Sequence, residues 1–251
     1  MPDRELRAAL DAAAGASRLL VALDFDGVLA PIVPVPGDAR PLPAAAAAVR
    51  ALAALPDTAV TLVSGRGIAD LAAVSGLGPP VRMIGSHGGE PDDGGDPLDG
   101  EQRALRTRLI EALDGLVDGA PGVRLERKPA GGAVHVREAD PSVGARVLDA
   151  VRAGPASWPG IDATAGKAVL DLAVLKVSKG IAVDALRERT GADAVVFAGD
   201  DVTDETVFTR LRPGDVGIKV GDGDTAAGHR VADPEAMVGV LEHLLAARRG
   251  R

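Results

Sequence analysis

The chain has 251 residues, room for one large domain or two small ones, and 46% of them are hydrophobic, enough for a sizeable core. Aromatics are only 2% and the formal net charge is −8, with no basic patch, so base stacking and nucleic-acid binding are excluded as a main activity and Ala, Val, Leu and Ile must build the core. There is no cysteine, which excludes disulfides, thiolate metal sites and cysteine nucleophiles together.

The N-terminal stretch MPDRELRAALDAAAGASRLL carries acidic residues and no long apolar run, unlike a secretory signal. No segment approaches the length that spans a bilayer, so the expectation is a cytoplasmic protein without membrane partners. Leu19–Asp24 reads as a buried strand, and Ala44–Leu55 as an Ala-rich helix entered through PLP. Thr58–Val63 is a second apolar strand. Ile68–Val74 opens a helix after SGRG, and Val81–Ile84 is a third strand ending at GSHGGE. Continuous apolar strands alternating with helices predict a parallel sheet covered on both faces.

The pattern changes after Glu90. PDDGGDPLDG is a turn-rich acidic linker, and Asp92–Asp99 reads as a solvated hinge. Glu101–Val117 is an amphipathic helix with Leu105, Leu109, Leu113 and Leu116 at helical spacing. Two alternating strands follow. In VRLERK, Val123 and Leu125 face one side, and Arg124, Glu126 and Lys128 the other. PAGG turns the chain. In AVHVR, Val134 and Val136 face one side, and His135 and Arg137 the other. Period two with a polar face predicts a half-exposed antiparallel sheet. A helix over Val143–Val151 and strands around Ile161–Thr164 and Lys167–Leu172 complete a small α+β unit, with Trp158 packing inside it.

The first pattern then returns. Ser178 is placed to cap a helix, Ala194–Ala198 is a strand ending in GDDVTDE, Val216–Val220 is another, and Pro234–Arg248 is a C-terminal helix. The expected architecture is a Rossmann-like α/β core with a parallel sheet, residues 1–96 and 175–251, interrupted by an inserted α+β cap, residues 97–174. Linkers near Gly94–Leu98 and Lys176–Ser178 are expected to let the cap close and exclude bulk water.

Ligands of open parallel sheets bind at the carboxyl ends of the strands. Asp24–Asp26, Ser64–Arg66 and Asp200–Asp204 meet that condition, and Lys179 sits at a helix start. Asp24 and Asp26 repel each other unless something cationic lies between them. Carboxylates in this number suit Mg²⁺ held with a phosphate, while Lys179 and the Ser64 hydroxyl suit phosphate oxygens. An aspartate can act as nucleophile through an aspartyl-phosphate, and a second as general acid and then base.

DFDGVLAP, VSGR, KG and GDDVTDE, in this order and spacing, resemble the four motifs of the haloacid-dehalogenase superfamily. Within it, GSHGGE and the inserted VRLERKPAGGAVHVRE are similar to the trehalose-6-phosphate phosphatase family, and the likeness spans nearly the whole chain. The resemblance implies a haloacid-dehalogenase fold and a Mg²⁺-dependent phosphomonoesterase that releases trehalose from trehalose 6-phosphate. It implies Asp24 as nucleophile and Asp26 as the acid that protonates the leaving sugar oxygen and later activates water. It places Mg²⁺ on the carboxylates of Asp24 and Asp200 and the backbone carbonyl of Asp26, with Asp204 either a further ligand or, like Asp201, a holder of metal-bound water. Ser64, Gly65, Arg66 and Lys179 correspond to the phosphate site, and His87 to either a substrate contact or a structural histidine. Glu126, Lys128 and Arg137 correspond to sugar contacts, and Asp171 stands where the family usually has Glu. Val28 replaces the more usual Thr after the first motif.

The nearest alternative is the same chemistry on sucrose 6-phosphate or mannosyl-3-phosphoglycerate. A carboxylate-bearing substrate would want extra Arg or Lys on the cap, whose polar face is mixed in sign. A signalling receiver shares the aspartate, hydroxyl and lysine set but needs no insertion and about half this length. His135, His229 and His243 read as solvated residues, and GDGDTAAG as a loop bordering the active site. The partner expected is a small sugar phosphate bound by a monomer.

Overall fold

The computed structural model describes residues 2–91, 98, 100–174 and 178–250. It divides into two compact units, one of residues 1–92 with 178–251 and the other of residues 93–177.

The first unit begins with a helix that composition did not single out, α1 (Arg4–Ala14). The Asp3 carboxylate accepts from the Leu6 amide at 2.8 Å and caps it, and Leu6, Leu10 and Ala13 form its buried stripe. Strand β1 (Leu19–Leu23) is buried at all five residues. After it come α2 (Pro43–Ala53), β2 (Thr58–Val63), α3 (Ile68–Ser75) and β3 (Arg82–Ile84). Pro43 starts α2, where its missing N–H costs nothing.

The second unit contains α4 (Gly100–Val117), β4 (Arg124–Lys128), β5 (Gly131–His135), α5 (Pro141–Ala153), β6 (Asp162–Gly166) and β7 (Val169–Ala173). Its sheet is antiparallel in the order β4-β5-β7-β6. Leu109 and Leu113 of α4 and Val147 and Val151 of α5 share a buried cluster with Val134, Leu170 and Leu172 of the sheet. Register puts Arg124, Glu126 and Lys128 on the opposite face with His135 and Asp171.

Three details depart from the sequence expectation here. The turn between β4 and β5 is Pro129–Ala130 alone, and the glycines of PAGG belong to the strand. A Cβ on Gly131 would lie 1.9 Å from the Leu172 carbonyl oxygen, so glycine is there for close strand approach rather than for turning. The last two strands lie at Asp162–Gly166 and Val169–Ala173, because Lys167 and Ala168 make the turn between them. Finally, β5 ends at His135, and Arg137 lies exposed in a turn beyond it. Strand alternation therefore does not carry Arg137 onto the polar face.

The chain re-enters the first unit through α6 (Lys179–Thr190), β8 (Ala194–Gly199), α7 (Glu205–Phe208), β9 (Val216–Val220), β10 (His229–Val231) and α8 (Pro234–Arg249). The six strands form one parallel sheet in the order β10-β9-β8-β1-β2-β3. Leu19, Val21 and Leu23 point to the side covered by α1, α2, α3 and α8, while Leu20 and Ala22 point to α6 and α7. Burial on both faces is why the strand reads as an unbroken apolar run. His229 lies in β10 and is half-buried, and His243 of α8 bonds Asp11 of α1 at 2.8 Å. Apart from Leu98 and Ser178, the acidic run Asp92–Asp99 and the linkers near Gly94–Leu98 and Lys176–Ser178 lie outside the described residues. No helix among the described residues is long and apolar enough to cross a membrane.

Candidate active site

Parallel pairing of β1 with β2 and β8 brings the ends of these strands to one edge of the sheet. Asp24 follows β1, Ser64 follows β2 and Asp200 follows β8. They line one cleft of about 480 Å³ with Asp26, Gly65, Arg66, His87 and Lys179. The loop after Asp24 is tight: the Leu29 and Ala30 amides donate to the Phe25 carbonyl at 2.9 and 3.0 Å. Gly27 has φ +73°, and a Cβ there would lie 2.0 Å from Oδ2 of Asp200. The two aspartate-bearing loops can meet because this residue has no side chain.

Lys179 is the first residue of α6, whose N-terminus is capped by the Ser178 hydroxyl accepting from the Ile181 amide at 3.2 Å. The glycine of the KG pair has a packing reason. A Cβ on Gly180 would stand 2.1 Å from the Thr206 carbonyl oxygen, so glycine lets α6 close onto α7, which follows the GDDVTDE turn. That closure buries the Lys179 ammonium between two carboxylates, donating to Oδ2 of Asp24 at 2.6 Å and Oδ1 of Asp204 at 2.8 Å.

The electrostatics are unbalanced. Burial pushes the Asp24 carboxyl up to about 7; Lys179 pulls it down, and the neighbouring Asp204 adds to the rise. Burial pushes Asp200 up to about 6, with Asp204 and Asp201 adding repulsion. Burial pulls Lys179 down, but the two carboxylates outweigh it and the ammonium is held charged. Lys179, with Lys219 acting on Asp200 alone, offsets only part of the charge of three carboxylates, one oxygen of each lying within 4.8 Å of the others. A hard, oxygen-loving divalent cation fits this set, since it supplies the missing charge and takes oxygen ligands. The carboxylates are not equivalent toward it. Oδ2 of Asp204 already accepts from the Asp200 and Asp201 amides, both at 2.9 Å, and Oδ1 is held by Lys179. Asp204 is fully buried and acts as a post for the loop and the lysine. Asp24 accepts only once on each oxygen, Oδ1 from the Phe25 amide and Oδ2 from Lys179, both at 2.6 Å, and the Asp200 carboxylate is the least engaged of the three.

The Asp26 carboxylate stands apart from this cluster. Both of its oxygens accept from Arg66, Oδ2 from Nε at 2.6 Å and Oδ1 from Nη2 at 2.8 Å. Any share of Asp26 in metal binding must come through its backbone. Ser64 is buried, and its hydroxyl accepts from the Arg66 amide at 3.2 Å. Gly65 lies under His87, whose Cε1 would be 2.5 Å from a Cβ there. Ser86 and His87 both have positive φ, +51° and +56°, strained values for non-glycine residues. Glu90 braces that loop by accepting from the Ile68 amide at the start of α3 at 2.9 Å and from the Ser86 hydroxyl.

On the polar sheet face of the second unit, Lys128 is ion-paired with Asp171, and Glu126 bonds His135 Nε2 at 2.7 Å. Arg137 does not join them. His135, read from sequence as a solvated residue of this face, is half-buried and bonded to Glu126. Two contributors were not singled out from sequence. Asp70 binds Arg66 at 2.7 Å. Lys219, buried in β9, donates to the Asp200 carbonyl at 2.5 Å and anchors that loop. A lysine inside the apolar run VGIKV is the signal that marked it.

A family model for trehalose-phosphatase matches residues 22–234. Folds of this class, with carboxylates at the strand ends of a parallel sheet and an inserted α+β unit, are those of the haloacid-dehalogenase superfamily. The chain belongs to its trehalose-phosphatase family. It is 34% identical over 238 residues to a bifunctional trehalose-6-phosphate synthase/phosphatase of Thermoproteus tenax, covering 92% of this chain and 32% of that one. It is 31% identical over 235 residues to a trehalose-6-phosphate phosphatase of Escherichia coli K12, covering 89% of this chain and 85% of that one. The solved structure of Aspergillus fumigatus trehalose-6-phosphate phosphatase superposes with a TM-score of 0.70 at 27% identity, covering 96% of this chain and 97% of that one. The chain thus spans about a third of the Thermoproteus relative.

Proposed function

We propose that this chain is a Mg²⁺-dependent phosphatase that hydrolyses trehalose 6-phosphate to trehalose and phosphate, with Asp24 as nucleophile. The observation that carries the reading is Asp24 itself: a buried carboxylate at a strand end, 2.6 Å from a buried lysine and within an acidic cluster that calls for a cation. Asp24 and Asp200 would hold the metal by their carboxylates and Asp26 by its backbone carbonyl. When bound, the metal supplies positive charge against the transferring phosphoryl oxygens.

The residues of the chain do the remainder. Lys179 offsets charge on the phosphoryl group and keeps Asp24 aligned. Ser64 offers its hydroxyl to a phosphoryl oxygen, and Gly65 and His87 shape the wall beside it. Asp26 protonates the leaving sugar oxygen and then takes a proton from the water that attacks the aspartyl-phosphate. Glu126, Lys128, Asp171 and His135 form a face of mixed charge suited to sugar hydroxyls, with little aromatic surface for ring stacking.

Phosphate release with Mg²⁺ from trehalose 6-phosphate, glucose 6-phosphate, sucrose 6-phosphate and mannosyl-3-phosphoglycerate tests the reading. A strong preference for trehalose 6-phosphate is expected. Preference for another member would keep Asp24, Asp26, Lys179 and Asp200 in their roles and overturn the assignment of the polar face.

A further inference from the structure

We propose that Arg66 is a positioning residue for the leaving-group side of the reaction, acting through Asp26 and braced by Asp70, rather than a holder of the phosphoryl group. The proposal rests on the reading of Asp26 as the acid of the proposed phosphatase.

The hydrogen-bond census of Arg66 carries it. A guanidinium has five N–H groups. Nε donates to Asp26 Oδ2, Nη2 to Asp26 Oδ1 and to the Pro36 carbonyl at 2.8 Å, and Nη1 to Asp70 at 2.7 Å. Four of the five are taken, which leaves one for a phosphoryl oxygen. The fork onto Asp26 is bidentate, the arrangement that fixes a carboxylate plane as well as its position. The guanidinium also lies over the ring of Phe25, the residue between the two aspartates, with its central carbon 5.7 Å from the ring centroid. The Arg66 side chain is only 11% exposed, while Asp26 is 31% exposed and its carboxylate bonds no other side chain among the described residues. Without Arg66 nothing among the described residues sets the rotation of that carboxyl group.

The step it serves balances as follows. A carboxylate oxygen of Asp24 attacks phosphorus, the bond from phosphorus to the sugar oxygen breaks with its electron pair on that oxygen, and Asp26 gives it a proton. Water then attacks the same phosphorus and gives a proton to Asp26, while the bond to Asp24 breaks, releasing orthophosphate. A carboxyl group carrying a proton on one oxygen still accepts from Arg66 on the other, and Asp70 and the Pro36 carbonyl hold the guanidinium meanwhile.

Leaving groups separate this role from phosphate binding. A sugar alkoxide must be protonated as it departs, whereas p-nitrophenolate leaves as a stable anion. The value of kcat/KM covers only the steps up to release of this first product. Wild type, Arg66→Gln, Arg66→Lys, Asp70→Asn and Asp26→Asn are compared with Mg²⁺ on trehalose 6-phosphate and p-nitrophenyl phosphate, with thermal melts as a check on folding. Arg66→Gln is expected to lose about 10²-fold on the sugar substrate, the lower range of acid catalysis, and only a few-fold on the aryl one. Arg66→Lys, which cannot form the fork, follows it. Asp70→Asn shows the same selectivity at smaller size. Equal losses on both substrates, or a loss confined to KM, would overturn the proposal and return Arg66 to the phosphate site. If Asp26→Asn itself shows no selectivity, it is the reading of Asp26 that fails. Should Arg66→Gln not fold, Asp70→Asn decides, because its side chain is half exposed; no selectivity there overturns the proposal.

Discussion

Replacing Asp204 with Asn tests whether this residue is a post or a metal ligand. The substitution keeps shape and removes one charge. One amide oxygen can keep the two backbone bonds from Asp200 and Asp201, now to a neutral acceptor. The amide nitrogen then faces the Lys179 ammonium 2.8 Å away, donor against donor. Removing one partner of a buried ion pair costs about 3–5 kcal/mol. Two features reduce this: Asp24 still pairs with Lys179, and the repulsion that Asp204 exerts on Asp24 and Asp200 disappears. The expected loss is about 3 kcal/mol in metal-free protein, which lowers the melting temperature by roughly 6–12 °C for a chain of this size. Denaturant unfolding in chelator, followed by titration with Mg²⁺, measures both quantities. A post predicts a large loss of metal-free stability with a smaller loss of metal affinity. A stability change under about 1 kcal/mol, within the range of ordinary surface substitutions, together with abolished metal binding, would refute the reasoning and make Asp204 a ligand first.

Two further outcomes follow from the same site. Because Asp24 and Asp200 are raised, the native metal-free protein keeps protons that the unfolded chain gives up, so its stability falls as pH rises from about 4 to about 7. A metal binds the charged carboxylates and releases those protons. Mg²⁺ should bind more tightly at about pH 7.5 than at about pH 5.5, and calorimetry in buffers of different ionisation enthalpy should show proton release at the lower pH; uptake, or no exchange, would contradict the assigned shifts. Gly27→Ala places a Cβ against Asp200 at a φ of +73°, costing at least about 1–2 kcal/mol of backbone strain and forcing the two loops apart. Its melt should fall and its metal affinity with it, and a variant that binds metal like wild type would show that the loops need not touch.

Much of this was legible in the order of residues. Buried strands must be apolar at every position when both faces are covered, so β1, β2 and β8 announce a parallel sheet without any knowledge of their partners. Strands with one wet face must alternate, and that spacing alone puts Glu126 and Lys128 on the same side of β4. Motifs at strand ends are local and keep their spacing, so the aspartates, Ser64 and Lys179 could be gathered in advance. Other features depend on distances that no local pattern contains. Lys179 and Asp24 are 155 positions apart, and only the packing of α6 on the sheet makes them partners. Whether Asp204 spends its oxygens on a metal or on two amides and an ammonium depends on which donors the folded loop aims at it. The same holds for Arg66, whose neighbour in space, Asp26, lies 40 positions away and claims the fork that a phosphate would otherwise take. Arg137 follows the same logic from the other side: its alternation is intact in the sequence, but the ladder of β5 stops at His135, and without a paired neighbour a residue has no assigned face. Composition and periodicity decide what a segment can bury; hydrogen-bond saturation, which assigns roles inside a site, is settled only when segments distant in sequence meet.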